Sequence, residues 1–165
     1  MFKKLFGGNK RIEEQFVAPL TGKVVSLDDV PDPVFSQRMM GDGVAVEPTD
    51  GKVVSPIAGE VVQVFPTKHA VGIKTKSGVE VLVHIGLETV SMEGEGFEGH
   101  VSAGDHVQPG DPLITFDMDL VSEKAKSTTT PIMITNFDEV VEHFEPSYHE
   151  TATAGETGIM TVKTK

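Results

Sequence analysis

Two histidines, His69 and His84, belong to one short stretch of the chain that reads as a β-hairpin. Two β-rich runs, 70–75 and 79–85, flank a short polar loop, 76–78, that ends in glycine, the residue that adopts positive φ most easily. Directly opposed residues on paired strands have Cβ atoms about 4.5–5.5 Å apart. Pairing about this loop brings both imidazoles to the same end of adjacent strands, so the sequence predicts one local site that holds them both.

An imidazole pair on a β scaffold is suited to phosphoryl chemistry. A neutral imidazole with a pKa near ~6.5 is a competent nucleophile at neutral pH, and it can carry a phosphoryl group as a reactive phosphoramidate. The second imidazole could donate a hydrogen bond to the phosphoryl oxygens, beside the hydroxyl of Thr67. The spacing alone is equally compatible with two histidines that merely end their strands.

The alternation of side chains in the hairpin bears on the direction of each ring. The odd positions of 79–85 are all apolar and must face a core, so Leu82 and His84 point to the opposite, outer face. The same counting places His69 on the inner side. A shared site therefore requires that a bulge or a strand end near Gly72 resets the phase.

Composition excludes several other chemistries. The 165 residues contain no cysteine, which excludes disulfides, cysteine ligands and a thiol nucleophile. The chain has no Gly-rich phosphate loop, no G-x-S-x-G elbow and no H-E-x-x-H. No stretch approaches the about 18–20 apolar residues of a membrane span, and no secretory signal pattern opens the chain. We expect a cytoplasmic protein.

The charge is unevenly spread along the chain. The formal net charge is −11, yet Lys3, Lys4, Lys10 and Arg11 lie at the start with no acid among them, so the remainder has 10 basic and 25 acidic residues, a net −15. This acidic remainder of the chain, the acidic body, argues against nucleic-acid binding and favours a partner with a basic surface. An ordinary acidic domain is equally compatible with the charge.

The first residues predict a segment distinct from the folded body. Residues 1–15 are interpreted as a flexible basic amphipathic tail, with Phe2, Leu5 and Phe6 at i, i+3 and i+4. Such a tail could touch an anionic membrane weakly, or it could be disordered without a role. Residues 16–165 are predicted to form a single domain.

A repeated motif indicates the fold class. VAPLTGKVV at 17–25 and VSPIAGEVV at 54–62 align as V-x-P-x-x-G-x-V-V, and 17 glycines and 10 prolines divide the chain into short pieces. These features predict an all-β fold, an antiparallel β-sandwich or barrel with a duplicated hairpin motif and a few short helical turns. One helical turn is expected after Asp32, and a short helix is expected over 118–126, capped by Asp117 or Asp119.

Long ordered blocks of the sequence carry a family resemblance. They are VAPLTGKVVSLDDVPDPVFSQRMMGDGVAVEP, GVEVLVHIGLETV, GEGFEG with GDHVQPGD, and EKAKSTTTPIMITN. From about Phe16 onward the chain resembles the glucose-type enzyme IIA of the bacterial phosphoenolpyruvate-dependent sugar phosphotransferase system. The resemblance implies an antiparallel β-sandwich and a phosphotransferase with a phosphohistidine intermediate. It further implies that His84 is phosphorylated, that His69 supports it with Thr67 nearby, and that no cofactor is required.

The resemblance also implies partners and a docking surface. The histidine phosphocarrier protein would donate the phosphoryl group, and the IIB domain of a sugar permease would receive it. The dephosphorylated form could in addition bind transporters or kinases as a regulator. The sugar would be chosen by the permease. The family patch maps onto Phe35, Met39, Met40, Phe65 and Leu82, with Glu88 where relatives often carry aspartate. From composition alone, Phe35 and the two methionines could equally be buried in the core.

Two alternatives of another class remain. Lipoyl or biotinyl carrier domains share duplicated hairpins, and Lys124 in EKAK is similar to a modified lysine, although it lies in the expected helix. Zinc peptidases of a related fold use a His-x-His pair, whereas position 82 is leucine. His69 and His84 could still bind Zn²⁺ with a ligand from a partner, since protein zinc sites usually have three or four donors.

Overall fold

The computed structural model describes residues 12–165, whose regular structure consists mainly of antiparallel strands. The all-β fold class is thereby confirmed. The strands are β1 Glu13–Val17, β2 Gly22–Ser26, β3 Asp42–Pro48, β4 Lys52–Val54, β5 Gly59–Val64, β6 Ala70–Lys74, β7 Glu80–His84, β8 Phe97–Gly99, β9 His106–Val107, β10 Pro112–Phe116, β11 Thr130–Ile134, β12 Val141–Pro146, β13 His149–Ala152 and β14 Gly158–Thr164. The helices are α1 Pro33–Ser36, α2 Met118–Lys124 and α3 Phe137–Val140, with short 3-10 turns at Leu27–Asp29 and Thr89–Met92.

The largest sheet has a strand order that is symmetric about its centre. Its eight strands run β13-β2-β3-β11-β7-β6-β5-β9, and two three-stranded sheets, β1-β14-β12 and β4-β10-β8, complete the fold. The junction of β11 and β7 divides the large sheet into two halves of four strands. The predicted hairpin is β6–β7, which lies just beside that junction.

The two copies of the repeated motif meet through reciprocal hydrogen bonds. The amide of Val17 donates to the carbonyl of Pro56 at 2.9 Å, and the amide of Val54 donates to the carbonyl of Pro19 at 2.8 Å. Val17 and Val54 are equivalent positions of the motif, as are Pro19 and Pro56. The repeat in the sequence therefore corresponds to a repeat in space.

The hairpin is buried on both of its faces. On the inner face, Val71, Ile73, Val81 and Val83 join the main hydrophobic core. The outer face is covered by a second apolar cluster, whose members are Val25, Leu27, Val30, Phe35, Ala45, Ala70, Leu82, Leu87 and Met133. Burial of a large apolar side chain contributes about 1.5–3 kcal/mol, so both clusters hold the hairpin in place.

The first two helices begin where the sequence predicts. Asp32 caps α1, because its side chain accepts a hydrogen bond from the amide of Val34 at 3.0 Å and Pro33 occupies the first helical position. Of the two candidate caps for α2, Asp117 is the cap and accepts from the amide of Leu120 at 3.0 Å.

The turn of the hairpin is tied to two other parts of the fold. The side chain of Asn136 accepts from the amide of Glu80 at 3.0 Å and donates to the carbonyl of Gly78 at 2.9 Å. Glu14 of β1 accepts hydrogen bonds from the hydroxyls of Thr75 and Ser77. These contacts fix the register of the hairpin at the end opposite to the histidines.

The expected boundary of the tail is wrong for residues 13–15. They belong to β1, which pairs with β14 from Glu13↔Lys163 to Val17↔Gly158. The pairing partner lies at the far end of the sequence, which is why local composition does not reveal this strand. Residues 1–11, which carry the rest of the tail prediction, lie outside the described part of the chain. Within residues 12–165, no helix is both long and apolar enough to span a membrane.

Candidate functional site

The register of the hairpin brings the two histidines together. Ala70 pairs with His84, and the amide of Ile85 donates to the carbonyl of His69 at 2.6 Å. The ring centroids of His69 and His84 are 5.0 Å apart, with their planes inclined at 79°. The two imidazoles therefore share one site, as the hairpin counting predicts.

The conflict in side-chain phase is resolved at a strand end. Strand β6 begins at Ala70, so His69 precedes the strand and does not follow its alternation. The turn before it contains Lys68 in the left-handed region, with φ of 58°. This backbone turns the ring of His69 toward His84 instead of toward the inner core. The reset occurs two residues before Gly72.

The hydrogen bond of His84 identifies its nucleophilic nitrogen. Nδ1 of His84 lies 2.9 Å from the carbonyl oxygen of Gly86. A carbonyl only accepts, so Nδ1 carries the proton and Nε2 keeps its lone pair. Burial lowers the pKa of His84, and the hydrogen bond to Gly86 and the negative charge of Asp32 oppose that shift. His84 is consequently a neutral imidazole at neutral pH, with Nε2 available to attack.

The backbone conformation of Gly86 positions the carbonyl oxygen that contacts His84. Its φ is 72°, in the region that favours glycine, and a Cβ there would lie 2.6 Å from Cγ2 of Thr89 and 2.9 Å from the carbonyl oxygen of Ser127. Thr89 also donates its hydroxyl to the carbonyl of Ile85 at 2.6 Å. The carbonyl that orients His84 is therefore held by tight packing. Sequence reasoning missed Gly86, and its place two residues after the histidine was the only signal.

His69 is the more buried of the two histidine residues by exposed surface. Only 4% of it is exposed, and its Nδ1 lies 2.5 Å from the hydroxyl oxygen of Thr67. Burial, with a smaller contribution from the neighbouring His84, lowers the pKa of His69 to about 4. Phe65 packs edge-on against the ring, with centroids 5.3 Å apart. His69 is therefore neutral, and Thr67 contacts one of its two nitrogens.

Two residues of the predicted docking patch are buried. Phe35 is 3% exposed, Leu82 is 7% exposed, and both belong to the apolar cluster on the outer face of the hairpin. The Phe35 ring packs against His84, with centroids 5.0 Å apart. The alternation was right about the face of Leu82, but that face is covered. Phe35 and Leu82 therefore support the site from beneath, and their prediction as surface contacts is corrected.

The other residues of the predicted patch are accessible. Met39 is 69% exposed and Met40 is 39% exposed, Phe65 is half-buried, and Glu88 is exposed with φ of 59°. Val90, which the sequence analysis did not select, is also exposed. Phe65, Glu88 and Val90 thus place apolar surface and a carboxylate close in sequence to the histidine pair, whereas Met39 and Met40 follow α1.

The structure weighs against both alternative classes. Lys124 lies in α2, away from any hairpin tip, and its Nζ donates to a carboxylate oxygen of Glu95 at 2.7 Å. Across residues 12–165, no group of three or more His, Cys, Asp or Glu side chains is placed to hold a metal ion. Zinc at His69 and His84 would need further ligands from a partner.

A β scaffold that presents one neutral nucleophilic imidazole beside another fits the class of phosphoryl-transfer proteins. Residues 14–140 match the model of the family described as phosphoenolpyruvate-dependent sugar phosphotransferase system, EIIA 1, and the chain belongs to that family. It is a phosphoryl-transfer component of a sugar phosphotransferase system. Membership implies exchange with the histidine phosphocarrier protein and with IIB domains of sugar permeases.

Individual relatives agree with the family. The chain is 61% identical over 166 residues to the PTS system glucose-specific EIIA component of Bacillus anthracis, with 100% of both chains covered. It is 52% identical over 141 residues to the protein of the same name from Staphylococcus aureus (strain COL), with 84% of this chain and 85% of the relative covered. The solved glucose permease IIA from Mycoplasma capricolum superposes with a TM-score of 0.82 at 39% identity, covering 95% of this chain and 99% of that one.

Proposed function

We propose that Nε2 of His84 accepts the phosphoryl group from the phosphohistidine of the histidine phosphocarrier protein and passes it to a IIB domain. The bond between phosphorus and the donor nitrogen breaks as the bond to Nε2 forms, and the donor ring keeps the electron pair of the broken bond. The proton on Nδ1 stays with His84, where Gly86 accepts its hydrogen bond. The single observation that carries this proposal is the contact between Nδ1 and the Gly86 carbonyl.

His69 is proposed to stabilise the phosphoryl group during transfer. If the hydroxyl of Thr67 donates to Nδ1, the proton of the neutral ring is on Nε2, which can donate to a phosphoryl oxygen. Its lowered pKa supports a neutral donor. A neutral donor holds the phosphoryl group less tightly than a cation, which suits a carrier that must release it.

The docking surface for both partners is proposed to combine half-buried Phe65, which packs against His69, with the exposed side chains of Met39 and Met40. Glu88 adds a negative charge that a basic partner surface would complement. The names of the relatives support glucose as the sugar of the pathway. A cytoplasmic location, regulatory binding of the dephosphorylated form and zinc at the histidine pair stay proposals.

Replacement of His84 tests the proposal directly. The His84→Ala chain, incubated with phosphoenolpyruvate, enzyme I and the phosphocarrier protein, is expected to take up no acid-labile phosphate. His143→Ala is the matched control, because His143 is exposed on β12 and contacts Glu145. Equal labelling of His84→Ala and the control would refute the assignment, provided that both variants show the circular dichroism of the parent chain.

A further inference from the structure

A groove lies between the α1–β3 loop and the start of α3, around Asn136, which holds the hairpin at the end opposite to the histidines. It has a volume of about 510 Å³ and is bounded by residues 38–42 on one wall and 135–139 on the other. The histidine pair does not line it, and among the residues proposed above for transfer and docking only Met39 and Met40 do.

The walls of the groove combine apolar and acidic groups. Met39, Met40 and Phe137 supply apolar surface, and Asp138 and Glu139 are exposed carboxylates. The groove also contains Arg38 and Asp42, which pair with each other at 3.0 Å, and Arg38 contacts Asp28 outside the groove at 2.7 Å. Because the guanidinium is already shared by two carboxylates, the groove as a whole stays acidic.

The chain enters the described structure next to this groove. Ile12 exchanges hydrogen bonds with Thr164, and Thr164 pairs with Val141, the residue directly after α3. Two strand spacings, about 10 Å, therefore separate Ile12 from the end of the helix that forms one wall. Six extended residues span about 20 Å, so the apolar positions of residues 1–11 can reach the groove.

We propose that residues 1–11 of this chain, the basic segment, dock in the groove. The segment has Phe2, Leu5 and Phe6 for the methionine and phenylalanine side chains, and four basic residues with no acid for Asp138 and Glu139. Apolar burial and charge complementarity thus act together, whereas neither would suffice alone for so short a segment. The proposal does not depend on which histidine is phosphorylated.

Docking would place the segment over residues that partners need. Met39 and Met40 form part of the groove and part of the proposed docking surface. The docked segment would therefore compete with the phosphocarrier protein for the same two side chains.

Paramagnetic broadening in the full-length chain tests the proposal. The chain has no cysteine, so Gly8→Cys gives a single site for a nitroxide label. The nitroxide should broaden the amide NMR signals of residues 39–42 and 137–139. This broadening should be larger than in the same labelled chain that also carries Lys3→Glu and Lys4→Glu. Asp138→Lys with Glu139→Lys should remove the excess broadening, and joining both pairs of substitutions should restore part of it. Added salt should weaken it, since the Debye length falls from about 10 Å at 0.1 M to about 3 Å at 1 M.

Three outcomes would overturn the proposal. The first is equal broadening in the parent and the Lys3→Glu, Lys4→Glu chain, which would reflect only the proximity of Ile12. The second is broadening that arises wholly in mixtures of a labelled chain with a separate isotope-enriched chain, which would indicate a second copy as the occupant. The third is a segment whose own signals change only when phosphatidylglycerol vesicles are added, which would indicate a membrane-binding segment instead.

Discussion

The Nδ1–H of His84 donates to the carbonyl oxygen of Gly86, two residues further along the chain and 2.9 Å away. This one contact sets the tautomer of the ring and leaves Nε2 as the nitrogen with a lone pair. The carbonyl is itself held in a left-handed backbone conformation between Thr89 and Ser127. The reactivity of the histidine thus depends on the exact place of a backbone atom.

Gly86→Ala should therefore slow phosphate uptake as well as destabilise the chain. The added Cβ would lie 2.6 Å from Thr89 and 2.9 Å from Ser127, so the carbonyl must shift. Gly78→Ala is the control, because Gly78 also has positive φ, at 95°, but nothing lies within 4 Å of an added Cβ. In the control, the free energy of unfolding should fall only by the cost of placing alanine at positive φ, about 1–2 kcal/mol. Thermal unfolding and the rate of acid-labile labelling measure both effects, and equal rates in the two variants would contradict this role of Gly86.

His69→Gln should separate the two transfer steps. If His69 only stabilises the phosphoryl group in flight, the variant still accepts phosphate but passes it to IIB more slowly, by about 10²-fold as for the loss of one oxyanion donor. Thr67→Val should slow the same step less, and Thr67→Ser should restore it, because the serine hydroxyl can still contact Nδ1. Rapid-quench kinetics of each half-reaction give the rates. A variant that transfers to IIB as fast as the parent would remove His69 from the mechanism.

The buried state of His69 predicts a loss of stability in acid. Its pKa is about 4 in the folded chain and about 6.5 when unfolded, so the unfolded state binds more protons between these values. The free energy of unfolding should fall as the pH drops from about 6.5 to about 4, by up to about 3 kcal/mol from this group. The lowered pKa of His84 acts in the same direction. Urea unfolding across this range should show a shallower slope for His69→Gln, and parallel curves would contradict the assignment.

Met40→Asp should weaken binding of both the phosphocarrier protein and the IIB domain. A charge placed in a shared apolar docking surface must lose its water in either complex. Tyr148→Asp is a matched control, since Tyr148 is also exposed but precedes β13, at the far edge of the eight-stranded sheet from β6. Titration calorimetry gives both affinities. Loss of only one partner would show that the two surfaces are distinct.

Glu88→Gln should lower the association rate with a basic partner and leave the dissociation rate nearly unchanged. Charges at the rim of an interface mainly set the salt-dependent encounter rate. The exposed carboxylate of Glu88 should therefore raise the association rate with a basic partner, and its removal should flatten the dependence on ionic strength. Stopped-flow association across a salt series measures this. A parent rate that is indifferent to ionic strength would show that the acidic body serves solubility alone.

The sequence reveals the histidine pair because a hairpin is a local structure. Counting from the loop at 76–78 is enough to bring His69 near His84, and alternation is enough to assign the face of Leu82. Alternation does not show what covers that face. The cover comes from Leu27 and Phe35, which are distant in sequence, so the burial of Leu82 could not be predicted.

Two further features depend on geometry that sequence patterns do not encode. The hydrogen bond to Gly86 requires a particular ring rotamer and a left-handed backbone together. The extent of β1 requires its partner β14, which lies more than a hundred residues away. In both cases the controlling contact is tertiary, and local propensity gives no signal for it.

The symmetric order of the large sheet gives the reactive position a counterpart in the other half. Lys23 and Glu60 occupy the same position of the repeated motif, so their pairing partners, Glu47 of β3 and Lys74 of β6, are also equivalent. The same alignment of β3 with β6 makes Gly43 equivalent to Ala70. Gly43 pairs with Met133, as Ala70 pairs with His84. Met133 is fully buried in the second apolar cluster. The two equivalent positions therefore have different roles. Met133 packs in the second apolar cluster and stabilises the scaffold, whereas His84 supplies the imidazole of the candidate site.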